Sequence, residues 1–292
     1  TVTATGTTIY LNGQAVNTGS MAAPIDWSGV SELTIGSGGE TFSYWGHTYD
    51  NSGIDELRLF SEALSQEQIQ GLINASSETL HVGFNGQYAD DVANRELTTV
   101  GSPGFAGEAK EGSDAYAGAA DAYLTAPAAG LTSANFSATF WYKVSGSPDR
   151  AGILVMGPED TENPDSQNLR TSGFRLFREG SATEQRIKLN VGTGTGESWN
   201  DGGVIDVTAG EWVHVAFTIS DTQSVIYLNG EAMNTGTLAA PIDWTGVDIL
   251  SIMSGAPRFT GWGHLSDTSI MDDLTFYNKV LTAEEIQADM AQ

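Results

Sequence analysis

The chain has 292 residues, with 12 basic against 37 acidic side chains, a net charge of −25 and a pI near 4.1. Such a surface repels nucleic acid and anionic headgroups, so neither is expected as a partner. There is no cysteine, which excludes disulfides and thiolate metal sites, and no apolar run reaches membrane-spanning length, so no membrane insertion is expected. A hydrophobic content of 40%, with 35 glycines and 8 prolines, fits a turn-rich globular β-protein rather than a disordered chain.

Residues 7–12, TTIYLN, mix β-branched and aromatic side chains and stop at Asn12-Gly13, which predicts a strand entering a tight turn. AAPIDW follows as a loop, where Pro24 interrupts any ladder. SELTIGS is a short strand, Trp45-Gly46-His47 belongs to an aromatic loop, and IDELRLF (54–60) is a further strand. Ser65 to Gln68 reads as a capping box that opens a short helix. NASSET (74–79) is a polar connector.

This whole stretch returns at the end of the chain. Ile9 aligns with Ile226, an offset of 217, and the same offset carries Trp27 to Trp244, Trp45 to Trp262, His47 to His264 and Asp55 to Asp272. No gap is needed, and roughly half the aligned positions are identical. A period this long is a whole domain rather than one solenoid unit. Residues 78–292 are expected to form one complete copy, and residues 1–77 the C-terminal part of a truncated one. The shorter piece is expected not to fold alone, and to be completed by neighbouring repeats or chains.

The complete copy opens with LHVGFNG (80–86), predicted to pair with its last strand, followed by the acidic loop ADDVANREL. FSATFWYKVS (136–145) is a strong strand that sets Phe136, Ala138, Phe140 and Tyr142 against Ser137, Thr139, Trp141 and Lys143. GILVMG and FRLFRE are strands separated by the 16-residue polar insertion PEDTENPDSQNLRTSG, a candidate functional loop. RIKLNVG and WVHVAFTIS are further strands, bracketing the loop GTGTGESWNDGG. VIYLNGEAM, DILSIMS and MDDLTFY repeat the first-copy strands, and Thr282 to Glu285 repeats the capping box, with Leu281 placed to staple to Ile286. The expected fold class is all-β: a two-sheet antiparallel β-sandwich with a short C-terminal helix per repeat.

Two stretches carry a family resemblance: GEWVHVAFTIS…VIYLNGE and FTGWGHLSDTSIMDDLTFYNKVLTAEEI. They are similar to the motifs of laminin-G-like, concanavalin-A-like jelly-roll domains. FNGQYADDVANREL resembles the family's opening segment but lacks its Ser-Gly pair. RAGILVMGPEDTENPD…FRLFREGS further resembles domains of large surface-exposed glycan-binding and adhesive proteins of Gram-negative bacteria. The resemblance implies a jelly roll, and an extracellular module of a repetitive bacterial cell-surface protein that acts in adhesion or glycan binding. Its partner would be a glycan or cell-surface polysaccharide. The alternative is a purely structural repeat, a spacer or filament subunit.

Catalysis is not expected. Glucanases on this fold carry carboxylates at alternate strand positions, whereas IDEL and MDDL place theirs on adjacent residues, which face opposite ways. Calcium is a candidate cofactor, because family members often hold it between the opening loop and the closing strand. The matching positions are Asn85, Asp90, Asp91, Asn94 and Asp272, all hard oxygen donors, with an Asp bonded to backbone amides as the alternative. For a glycan, exposed aromatics that stack on sugar faces and polar groups that hold hydroxyls are needed. Candidates are Trp199 and Asp201 in ESWNDGG, and Arg258, Phe259, Trp262 and His264 in RFTGWGH. Trp141 and Trp212 lie in hydrophobic patterns and are expected in the core, with Trp244 as a plug over the sheet.

Overall fold

The computed structural model describes all residues except Glu40, Trp45, Asp55, Glu56, Gln292 and the side chains of residues 74–76. Trp45 and Asp55, the first-copy equivalents of Trp262 and Asp272, therefore lie outside the described residues. The chain divides into two units, Thr1–Ile73 and Asn74–Gln292.

In the first unit, β1 (Gly6–Leu11) and β2 (Gln14–Ser20) pair antiparallel around Asn12 and Gly13, whose φ angles are 51° and 74°. Two successive positive φ values match the twist of the flanking strands, which is why Asn-Gly sits there. Helix α1 (Gln66–Ser77) begins with the expected reciprocal cap: the Gln68 amide donates to Ser65 Oγ at 3.2 Å, and the Ser65 amide to Gln68 Oε1 at 2.8 Å. SELTIGS and the described part of IDELRLF, both expected as strands, form none here. A strand needs a neighbour for its amides, and among the described residues of this unit the paired strands are β1 and β2.

The second unit contains β3 (Glu78–Val82), β4 (Thr98–Val100), β5 (Gly104–Phe105), β6 (Tyr116–Ala117), β7 (Tyr123–Pro127), β8 (Phe136–Lys143), β9 (Arg150–Met156) and β10 (Phe174–Gly180). It continues with β11 (Glu184–Gly192), β12 (Glu197–Asp206), β13 (Val213–Ile219), β14 (Gln223–Leu228), β15 (Glu231–Thr237), β16 (Ile249–Ile252), β17 (Ile270–Tyr277) and α2 (Ala283–Asp289). Two antiparallel sheets face each other, in the orders β12-β11-β10-β9-β16-β7-β4 and β15-β14-β13-β8-β17-β6-β5. As the sequence predicts, β3 pairs with the closing strand β17. The structure is the expected jelly-roll sandwich.

The core lies between the sheets. Phe136, Ala138, Phe140 and Tyr142 of β8 point into it, beside Phe174 and Leu176 of β10 and Phe217 of β13. The opposite face of β8 is buried too, because α2 covers it: Leu281 and Ile286 pack with Ala216 and Tyr277, and Ser137 Oγ donates to the Lys279 carbonyl. Thr282 and Glu285 form the predicted capping box. Trp141 is buried, whereas Trp212 is only half-buried. Trp244 leans on Phe136 and donates Nε1–H to the Ser133 carbonyl at 3.0 Å, a plug as expected.

One stretch departs from the sequence reading. ESWNDGG, read as a loop, is the start of edge strand β12, paired to β11 through Trp199 opposite Asn190 and Asp201 opposite Lys188. The Asn-Asp-Gly-Gly run suggests a turn, but its glycines serve close approach instead. A Cβ on Gly202 would fall 2.6 Å from Ile226 Cδ1, so only glycine lets β12 pass beside β14. Side chains then lace β12 to the other sheet: Asn200 Nδ2 donates to the carbonyls of Ser224 and Asn234, Asn234 Nδ2 to that of Asp201, and Ser198 Oγ to that of Thr237.

Candidate functional site

Alternation along β10 puts Arg175, Phe177 and Glu179 on the outer face of the seven-stranded sheet. Ladder pairing extends this face into two rows, Val155-Arg175-Asn190-Trp199 and Phe177-Lys188-Asp201. The loop between β16 and β17 folds over the first row. Its Phe259 is fully buried against Val155 and Phe177, and His264 stacks on Phe259 with ring centroids 4.8 Å apart. Anchored in this way, the loop lays Trp262 on Trp199, centroids 5.7 Å apart and planes at 20°. The Arg170 guanidinium also lies over the Trp262 ring, 4.4 Å from its centroid and held by Glu197 at 2.7 Å. Both indoles stay substantially open to solvent, Trp199 at 42% and Trp262 at 39%.

A cleft of about 260 Å³ opens beside the pair, lined by Trp199, Trp262, Phe177, Glu179, Lys188 and Asp201. Lys188 Nζ donates to Glu179 Oε2 at 2.9 Å, and the other Glu179 oxygen meets His264 Nε2 at 3.0 Å. Partial burial would raise the Glu179 pKa, but the Lys188 and His264 partners outweigh it and hold the carboxylate below its ordinary range. Burial drives His264 the other way, to a pKa of about 4, so its imidazole is neutral at pH 7. A neutral ring that donates Nε2–H to Glu179 leaves Nδ1 bare, and that atom has no partner. The cleft therefore offers an apolar indole surface ringed by one ammonium and two carboxylates.

The sequence-level candidates divide sharply. Trp199, Asp201 and Trp262 line the cleft. Phe259 and His264, expected to face a ligand, are buried beneath the loop and hold it down instead. Arg258 turns aside to Asp248, with both carboxylate oxygens at 2.8 Å from Nη2. Lys188, Glu179 and Arg170 were not singled out, although alternation in FRLFRE already puts Phe177 and Glu179 on one face. The polar insertion is folded onto this same face: fully buried Arg175 donates Nη1–H to the Ser172 carbonyl at 2.7 Å and Nη2–H to that of Leu169.

Three of the five calcium candidates, Asp90, Asp272 and Asn85, are engaged as acceptors of backbone amides. Asp90 accepts from the amides of His81, Val92 and Ala93 and from the Arg95 guanidinium at 2.7 Å. Asp272, fully buried, takes the amides of Lys110 at 2.7 Å, Glu111 at 2.9 Å and Asp273 at 2.9 Å. Asn85 accepts from the amides of Ser113 and Asp114, Asp91 lies 3.6 Å from His81, and Asn94 is an exposed turn residue with φ of 51°. Among the described residues, no group of three or more His, Asp or Glu side chains is arranged to hold a metal ion. Asp90, Asn85 and Asp272 thus spend acceptor capacity on backbone amides, the arrangement expected as the alternative to calcium. EDTA is expected to leave the melting temperature unchanged; a drop of several degrees, reversed by Ca²⁺, would restore the calcium assignment.

The sandwich and its outer-face cleft define a lectin-type jelly roll. The profile of the concanavalin A-like lectin/glucanase superfamily matches residues 1–70 and 117–287, and the chain belongs to that superfamily. Among curated proteins none matches. In solved structures the fold is similar to domain 4 of AbnA, an extracellular arabinanase from Geobacillus stearothermophilus, in complex with arabinotriose: 18% identity, TM-score 0.52, 74% of this chain and 98% of that one. It is also similar to the botulinum neurotoxin serotype D binding domain, at 12% identity and TM-score 0.54, over 75% of this chain. A botulinum neurotoxin DC binding domain in complex with SialylT matches at 12% identity and TM-score 0.52, over 74% of this chain. The match covers about half, 52%, of each of these toxin domains.

Proposed function

We propose that the second unit is a non-catalytic carbohydrate-binding module whose platform is Trp199. The carrying observation is the Trp199–Trp262 stack beside a cleft ringed by Lys188, Glu179 and Asp201. An indole face takes the C–H face of a sugar, and the charged rim takes its hydroxyls. The arabinotriose and SialylT complexes of the similar structures support a sugar as ligand. Glycoside hydrolysis needs a carboxyl kept protonated near neutral pH. Glu179 and Glu197, the carboxylates tied to this face by Lys188 and Arg170, are both held below their ordinary range, which supports a binding role alone.

The finer part of this reading is an extracellular module acting in bacterial surface adhesion. The acidic, cysteine-free composition and the resemblance to surface proteins support it. The test is binding of the full chain to a panel of immobilised polysaccharides, arabinan included. Trp199→Ala is expected to weaken binding at least 10-fold, about 1.4 kcal/mol, with the melting temperature within a few degrees, because the ring is substantially exposed. If no polysaccharide in the panel is bound, the spacer or filament reading stands in its place.

A further inference from the structure

Arg150, Arg170, Arg175, Arg186, Lys188 and Arg258, half of the chain's 12 basic residues, lie on or around the outer face of the seven-stranded sheet. Each is already engaged within the fold. Lys188 is held by Glu179 at 2.9 Å, Arg170 by Glu197 at 2.7 Å and Arg258 by Asp248 at 2.8 Å. Arg150 donates Nη1–H to the Trp262 carbonyl at 3.0 Å, and fully buried Arg175 donates to the carbonyls of Ser172 and Leu169. Arg186 donates Nη1–H to the Gly202 carbonyl at 3.2 Å, and its Nε lies 3.9 Å from Asp201.

The carboxylates are less committed. Asp201 lines the cleft with its side chain 60% exposed, and the loosely placed Arg186 is its ion-pair partner. The polar insertion adds Glu162 and Asp165, both exposed, and it folds against the aromatic loop, where the Thr260 amide donates to the Gln167 carbonyl at 3.0 Å. Glu179 and Asp201 against Lys188 leave the cleft lining one charge negative, since the neutral His264 adds none. The chain as a whole carries −25. A carboxylate or sulfate on a sugar would enter this cleft beside Asp201 and give up its water there, with every nearby cation already engaged. A hydroxyl meets the opposite situation, because an ionised carboxylate only accepts and a hydroxyl can donate to it.

Building on the carbohydrate-binding reading above, on which this rests, we infer that the Trp199 cleft takes uncharged glycans and rejects those carrying carboxylate or sulfate, with Asp201 as the acceptor of sugar hydroxyls. The indole supplies contact to either kind of sugar, so selection falls to the charges around it.

Glycan pairs matched in backbone and differing in charge test this with the full chain: methyl-esterified and de-esterified homogalacturonan, desulfated and native carrageenan, dextran and dextran sulfate. In any pair that binds, the acidic member is expected to bind about 10-fold more weakly or worse at low salt. The gap should close in about 1 M NaCl, where the Debye length falls to roughly 3 Å. Asp201→Asn should weaken binding of the neutral member and narrow the gap by about 3-fold or more. Glu284→Gln, an exposed change on α2 across the sandwich, should leave the gap as it is. An acidic member that binds as tightly as its neutral partner overturns the inference and leaves the carbohydrate-binding reading standing. So does a gap that persists at high salt, which would be steric, or one that Glu284→Gln narrows as much as Asp201→Asn, which would belong to the overall charge. If no member of any pair binds, the carbohydrate-binding reading fails as well.

Discussion

Asp267→Ala is expected to destabilise the second unit by about 3–5 kcal/mol, the largest effect of any single substitution considered. Asp267 and Arg178 are both fully buried at one end of the sandwich. Arg178 Nε and Nη2 reach the carboxylate, the latter at 2.9 Å, and Nη1 donates to the Pro148 carbonyl at 2.7 Å and to Gln185 at 2.8 Å. Tyr142 O–H and the amide and hydroxyl of Ser269 also donate to Asp267. Deleting the carboxylate strands a guanidinium, a phenol and an amide in a dry site. For a unit of this size the melting temperature should fall by roughly 10 °C. Asp267→Asn should cost less, since it keeps an acceptor but loses the charge. A fall of under 3 °C for the alanine variant would show that water reaches the site and replaces the carboxylate.

Acidification is expected to loosen the aromatic loop before the sandwich unfolds, and His264 is the cause. Its folded-state pKa of about 4 lies below the ordinary value of 6.5. A histidine with a depressed folded pKa is protonated more readily in the unfolded chain. Its contribution is therefore intact above pH 6.5 and is lost as pH falls from 6.5 towards 4, to a limit of about 3 kcal/mol. Burial between Phe177 and Phe259 is the dominant cause, Arg150 and Lys188 add to it, and Glu179 opposes them. Tryptophan fluorescence should report separation of Trp199 from Trp262 at a pH above the midpoint of global unfolding. His264→Phe keeps the stacking and removes the proton site, so its loop transition should no longer follow pH in this window. A variant that titrates like the parent would assign the transition to another group.

Short-range signals in the sequence were sound wherever the structure is local. Asn12-Gly13, Ser65-Gln68 and Thr282-Glu285 fold as their residue types require. The alternation in FSATFWY does the same for the core face of β8. The misses all depend on distant partners. Gly202-Gly203 reads as a turn until β14 is known to pass beside it. Phe259 and His264 read as exposed loop residues because nothing nearby shows that Val155 and Phe177 will cover them. Nothing in FRLFRE marks Arg175 and Arg178 as buried, yet strands and loops far away in the chain cover both. In the candidate site, the residue types of Trp199, Asp201 and Trp262 were legible, but the Arg170 brace and the Lys188–Glu179 rim required sheet register.

The lacing of β12 to β14 and β15 bears on how the second unit behaves among other proteins. An open sheet edge is a row of unspent donors and acceptors, and it invites any extended chain to add a strand. On this side the two edges spend part of that capacity on each other, through Asn200, Asn234 and Ser198. On the far side the terminal strands β4 and β5 are only 3 and 2 residues long, too short to template a ladder. A module shielded at both margins can be held at high local density beside its neighbours without fusing to them, and its encounters are left to the aromatic face.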